Sequence, residues 1–267
     1  MNRIDKKFKE LKRLRKKAFI AYITAGDPDL STTKRIALAL EKSGVDIIEL
    51  GIPFSDPLAD GPTIQAASQR ALAGGASLKR IFSMTRTLRK NTDIPLVYMT
   101  YYNPVLKYGI DNFVNSCKAC GVDGVIIPDL PYEEAVSLIR LSRKKNVATI
   151  FLAAPTSTRE RIREIARSSS GFIYYVSLTG VTGARLKLSA EITKNVRTIK
   201  SITDTPIAVG FGISTPAQAK EVAAQADGVI IGSAIVRVIE RCQKNEKAVI
   251  KNVSRLSESL ARAIHGK

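Results

Sequence analysis

The chain has 267 residues, 45% of them hydrophobic, enough to bury a sizeable core as one large domain or two small ones. No apolar run approaches the roughly 18 residues of a membrane span, the lysine-rich start is followed by no apolar signal core, and Cys117, Cys120 and Cys242 form no disulfide pattern, so a cytoplasmic protein is expected. Lys+Arg 42 against Asp+Glu 24 gives a net charge of +18, but with no zinc-finger spacing, aromatic RNA-binding signature or recognition-helix module, a solvated basic surface accounts for it better than nucleic-acid binding.

A basic amphipathic helix is expected over 1–17. Short apolar runs then follow at 18–25, 46–53, 95–102, 124–130, 148–155, 172–179, 206–213 and 228–231, which makes eight candidate strands. Between them lie polar-apolar stretches long enough for crossover helices, for example 31–43, 110–119, 133–145, 159–167, 190–202 and 216–225. A further helix is expected over 246–264. Strict strand-helix alternation argues a single parallel sheet, and eight units in a chain close to the typical ~250 residues argue one closed (β/α)8 barrel domain over 1–267. The competing doubly wound sheet lacks its dinucleotide fingerprint, since Thr24-Ala25-Gly26-Asp27-Pro28 follows the first strand.

A barrel puts its chemistry at the C-terminal ends of the strands. The second strand and its loop read Glu49-Leu50-Gly51-Ile52-Pro53-Phe54-Ser55-Asp56-Pro57-Leu58-Ala59-Asp60-Gly61-Pro62-Thr63-Ile64-Gln65. An ionisable Glu49 inside an apolar strand is costly, and alternation sets it on a face with Ile47 and Gly51, where the small Gly51 leaves open space. Three prolines stiffen the loop that holds Asp56 and Asp60. One desolvated carboxyl beneath a second on a loop is an arrangement that pushes paired pKa values apart, as general acid and base work requires.

After the seventh strand, Gly210-Phe211-Gly212-Ile213-Ser214-Thr215-Pro216-Ala217-Gln218 offers glycines and a capped helix start. After the eighth, Gly232-Ser233 opens another helix. In tandem, these turns match the place where many barrels hold phosphate, although each alone is an ordinary tight turn. Gly180 and Gly183 suit a mobile loop over the mouth. Tyr175 shares a face with Ile173 and Ser177, which fits a hydroxyl in the mouth or a core tyrosine, and Asp129 reads as orienting its loop. The only histidine, His265, lies in the C-terminal tail, so neither a histidine triad nor a multi-histidine metal site is expected, and no predicted strand carries a Schiff-base lysine.

The run from Glu49 to Gln65 resembles the signature of the tryptophan synthase alpha chain family, and Thr24 to Pro28, Ile127 to Pro131, Ala154 to Ser157, Tyr175 to Gly183, Gly210 to Ser214 and Gly232 to Val236 follow in family order. The resemblance implies a (β/α)8 lyase that cleaves indole-3-glycerol phosphate to indole and glyceraldehyde 3-phosphate. It implies Glu49 as the principal acid/base and Asp60 as the partner of the indole N–H. It also implies Tyr175 beside the glutamate, Gly183, Phe211, Gly212, Gly232 and Ser233 around the phosphate, and substrate-binding Thr182 with Gly183 on a loop whose closure excludes water. Tyr22 and Thr100 stand where apolar residues often line the family's indole pocket. No metal is implied and no cofactor in this chain. Pyridoxal phosphate would belong to a partner beta chain, met through Asp56 and its neighbours in an alpha2beta2 assembly. A stand-alone indole-releasing lyase, another phosphate-binding barrel enzyme and a basic nucleic-acid-binding scaffold are the rival readings.

Overall fold

The computed structural model describes residues 1–176, 185–210 and 212–266, and for 185–191 the backbone alone. Helix α1 (Arg3–Arg13) leads into strand β1 (Ala18–Thr24), followed by α2 (Leu30–Lys42), β2 (Ile47–Gly51), α3 (Pro62–Ala73), α4 (Leu78–Arg89) and β3 (Leu96–Met99). Next come α5 (Tyr102–Tyr108), α6 (Ile110–Cys120), β4 (Gly124–Ile126), α7 (Val136–Lys145), β5 (Ala148–Ile150), β6 (Leu152–Ala153) and α8 (Arg159–Ser168). The chain continues through β7 (Ile173–Val176), α9 (Arg185–Lys200), β8 (Ile207–Gly210), α10 (Pro216–Ala223), β9 (Gly228–Ile231), α11 (Ser233–Cys242) and α12 (Glu246–His265).

Every strand pair is parallel, and the ladder runs β5-β4-β3-β2-β1-β9-β8-β7-β6. Its two ends, β5 and β6, are halves of the single strand expected over 148–155, parted only at Phe151. The ladder therefore returns to itself, and nine segments make an eight-stranded barrel. Paired residues in parallel strands share a face, so the register identifies the interior. Ile20, Ile47, Val97, Ile126, Ile150, Ala208 and Ile230 point inward and pack as one cluster. Phe19, Ile48, Leu50, Tyr98, Ile173 and Val209 point outward into the layer beneath the helices.

The basic first helix closes one end of this barrel. Its Ile4, Phe8 and Leu11 are buried in the interior cluster, with the Phe8 ring 5.8 Å from that of Phe172. Spacing of these residues along one stripe lets the lysines stay in water while the apolar face acts as a plug. At the far end of the chain His265 is tied to the barrel. Its Nε2 lies 2.9 Å from Asp46 Oδ2, and the same oxygen accepts the Phe19 N–H at 2.9 Å. The expected strand at 95–102 stops at Met99. The Asp129 carboxylate accepts the Tyr102 N–H at 2.9 and 3.1 Å, and the chain turns there into α5.

Candidate active site at the mouth of the barrel

β2 is buried along its whole length, and its inner face carries Ile47, Glu49 and Gly51. Glu49 is 1% exposed, and neither carboxylate oxygen has a hydrogen-bond partner. Burial raises its pKa to about 8, and the nearby Asp60 carboxyl adds to the effect. The open space expected beside Gly51 is occupied: a Cβ there would overlap the hydroxyl and ring of Tyr22. Gly51 has no side chain because a phenol from the neighbouring strand lies across it.

Beyond β2 the loop returns over the mouth. Asp60 is half-buried, its N–H donates to Pro57 O at 3.0 Å, and its carbonyl accepts Gln65 Nε2 at 2.9 Å. Burial raises its pKa to about 6, against the opposing pull of a hydrogen bond with the Tyr101 side chain. Asp56 is exposed and accepts a hydrogen bond from Ser55, and Leu58 beside it is 93% exposed.

Two expectations about the pocket wall are corrected. Tyr175 shares a face with Ile173, but that face is the outer one. Tyr175 is 1% exposed in the layer beneath the helices, where its hydroxyl accepts Asn195 Nδ2 at 2.8 Å. The tyrosine that enters the barrel is Tyr174. It pairs in register with Leu152 and Ala208, packs on the interior cluster, and its hydroxyl would stand 2.5 Å from a Cβ on Gly210. Its phenol pKa is raised by burial, then by Glu49, Tyr22 and Asp60. In β3 the residue that packs against the interior and against Tyr22 is Met99, while Thr100 is buried one position past the strand. Both corrections have one cause: barrel strands are apolar on both faces, so Ile173-Tyr174-Tyr175-Val176 carries no polar phase to show which face is inside.

On the opposite rim, Gly212 is exposed with φ +70°, a conformation that suits glycine. The start of α10 is internally satisfied: Thr215 Oγ1 accepts the Gln218 N–H, and Gln218 Oε1 accepts the N–H groups of Thr215 and Ser214. α11 differs. Gly232 stands at its N-cap with no side-chain cap, so no side chain satisfies the first amides of the helix, which begins at Ser233 just past the C-terminal end of β9. An anion fits that end, where amide donors and helix dipole act together. Thr182, Gly183 and Phe211 lie outside the described residues. One side chain joins the two rims: Tyr22 packs its Cβ end on Gly232, where a Cβ would stand 3.2 Å away, and its hydroxyl end on Gly51. The acid site and the amide site are thus within the span of one small molecule.

Among the described residues no group of three or more His, Cys, Asp or Glu is placed to hold a metal ion. Fold and site define a (β/α)8-barrel enzyme with two carboxyl groups of unlike environment at the mouth and an uncapped helix start two strands away.

The sequence profile of the family described as "Tryptophan synthase alpha chain" matches residues 8–265, and the chain belongs to that family. It is 53% identical over 241 residues to the tryptophan synthase alpha chain of Caldanaerobacter subterraneus, covering 90% of this chain and 92% of that one. Among solved structures, the tryptophan synthase subunit alpha of Legionella pneumophila superposes with a TM-score of 0.92 at 41% identity, covering 99% and 98% of the two chains. A tryptophan synthase complex from Pyrococcus furiosus contains a chain with a TM-score of 0.83 at 38% identity, covering 92% and 98%. These relationships favour the lyase over the other phosphate-binding barrels and the non-enzyme scaffold.

Proposed function

We propose that Glu49 and Asp60 carry out the acid–base steps in the retro-aldol cleavage of indole-3-glycerol phosphate to indole and glyceraldehyde 3-phosphate. The observation that carries the assignment is the Glu49 carboxyl, buried at the mouth with both oxygens unpartnered. A group raised to about 8 is protonated at neutral pH, and it donates that proton to indole C3. The positive charge then falls on the ring nitrogen, where the Asp60 carboxylate accepts the N–H hydrogen bond and stabilises it. The Glu49 carboxylate so formed takes the proton of the glycerol hydroxyl on the carbon attached to C3. That carbon becomes the aldehyde, the carbon–carbon bond electrons return to the ring, and indole leaves neutral with Glu49 reprotonated. Tyr22, Tyr174 and Met99 form the wall beside the ring. The phosphate lies on the amides at Gly212, Gly232 and Ser233, with Thr182, Gly183 and Phe211 completing that end.

The same reading includes a partner. The Pyrococcus neighbour is a tryptophan synthase complex, and we assign to this chain a beta-chain partner in an alpha2beta2 assembly, met through the exposed Asp56 loop. Pyridoxal phosphate belongs to that beta chain. The whole of 1–267 serves as one barrel domain. A cytoplasmic location fits the free thiols of Cys117, Cys120 and Cys242, and no helix among the described residues is long and apolar enough to cross a membrane.

The test is indole release from indole-3-glycerol phosphate, with and without a beta chain. Glu49→Gln is expected to lower kcat by about three orders of magnitude while glycerol phosphate still binds. Parent-like turnover by this variant would remove Glu49 from the chemistry.

A further inference from the structure

Tyr101 sits between β3 and α5, where the Asp60 loop meets the barrel wall. Its side chain is 5% exposed. The hydroxyl oxygen accepts the Ala59 N–H at 2.9 Å, and it lies near enough to the Asp60 carboxyl for each to shift the other's ionisation. A phenol has one O–H to give and lone pairs to receive. With Ala59 on a lone pair, the O–H is left to turn toward the neighbouring Asp60. The ring stacks on Phe54 from the same loop, with centroids 5.4 Å apart and planes 30° from parallel. From Phe54 to Gly61, the loop's other hydrogen bonds among the described residues are internal or run to the helix that follows, such as Leu58 N–H to Asp56 O, Asp60 N–H to Pro57 O, and Gln65 Nε2 to Asp60 O. Tyr101 thus grips the loop at Phe54 and Ala59, from the turn that follows β3.

We propose that Tyr101 is a positioning residue for this reaction: it docks the Asp60 loop on the barrel and holds Asp60 over the mouth before ligand arrives. The inference rests on the roles given to Glu49 and Asp60. Among the described residues the titratable side chains around Asp60 are Glu49 from β2, Tyr22 from β1, Tyr174 from β7 and Tyr101 itself. Of these four, Tyr101 is the one whose side chain favours the charged form of Asp60.

Tyr101→Phe keeps the stack on Phe54 and removes only the oxygen. In the free protein, NMR titration of the Asp60 carboxyl carbon is expected to move to higher pH, and the Ala59 amide to exchange faster with solvent. In the indole-release assay, kcat is expected to fall about 10- to 100-fold with KM little changed, as for a misplaced catalytic group, and the acid limb of the pH profile to move upward. Phe54→Leu, which spares the hydroxyl, is expected to loosen the loop without moving the Asp60 titration. An unmoved Asp60 titration together with unchanged Ala59 exchange in Tyr101→Phe overturns the proposal whatever the activity. A moved titration in a protein whose parent releases no indole upholds the positioning role and overturns the assigned reaction instead.

Discussion

Glu49 is raised to about 8 chiefly because its carboxylate is out of water, and its ordinary value is 4.5. Between those two pH values the native state holds a proton that the unfolded chain has released, so stability falls as pH rises through that window. Glu49→Gln removes the penalty. Chemical denaturation at pH 4 should show little difference from the parent, whereas at pH 8 and above the variant should be more stable by a few kcal/mol; an equal gain at both would mean that packing, not charge, is responsible. Activity carries the complementary signature. Asp60 must be ionised and Glu49 protonated, so kcat/KM should be bell-shaped with limbs near 6 and 8, the values belonging to the pair rather than to either group alone. Asp60→Asn should lower the Glu49 titration, because it removes the second cause of its elevation. Gly51 tests the wall: Gly51→Ala sets a Cβ into Tyr22 and should cost both stability and turnover.

Helix ends and plugs behave as separable parts. Thr215→Ala breaks the α10 capping box and should cost about 1 kcal/mol in thermal or denaturant melts, yet leave phosphate affinity intact, because that helix end satisfies its own amides. Gly232→Ala, in contrast, presses on Tyr22 at the uncapped start of α11 and should weaken glycerol phosphate binding in calorimetry. Phe8→Ala empties a place in the barrel floor and should destabilise the protein by about 3–5 kcal/mol without touching the mouth. A change in KM larger than the loss of folded protein explains would show that the plug and the mouth communicate. Helix α1 also shows how far pattern alone reaches: its basic, amphipathic character is plain in the sequence, but what its apolar stripe covers depends on the open end of a barrel built from residues far along the chain.

For the molecule as a whole, a charge of +18 means that association is steered by long-range fields as well as by fit. Docking of a beta chain, followed by stopped-flow at low and at physiological ionic strength, should slow markedly with salt, and a salt-independent rate would assign the encounter to shape alone. Much of the architecture was legible beforehand. Eight apolar runs with crossover helices, in a chain without the dinucleotide fingerprint of a doubly wound sheet, argue a parallel barrel, and a carboxylate in the middle of the second run marks the place where burial is tolerated for chemistry. The neighbours of that carboxylate were not legible. Tyr175 was expected at the mouth and Tyr174 lies there, the void beside Gly51 holds Tyr22, and Tyr101 reaches the loop that carries Asp60. Alternation along a strand defines two faces but, where both are apolar, does not say which is inside. The sequence by itself thus determined the fold class and the residue whose ionisation is penalised. Only the tertiary structure, through strand register and the phenols it brings across from other strands, decided what surrounds that residue.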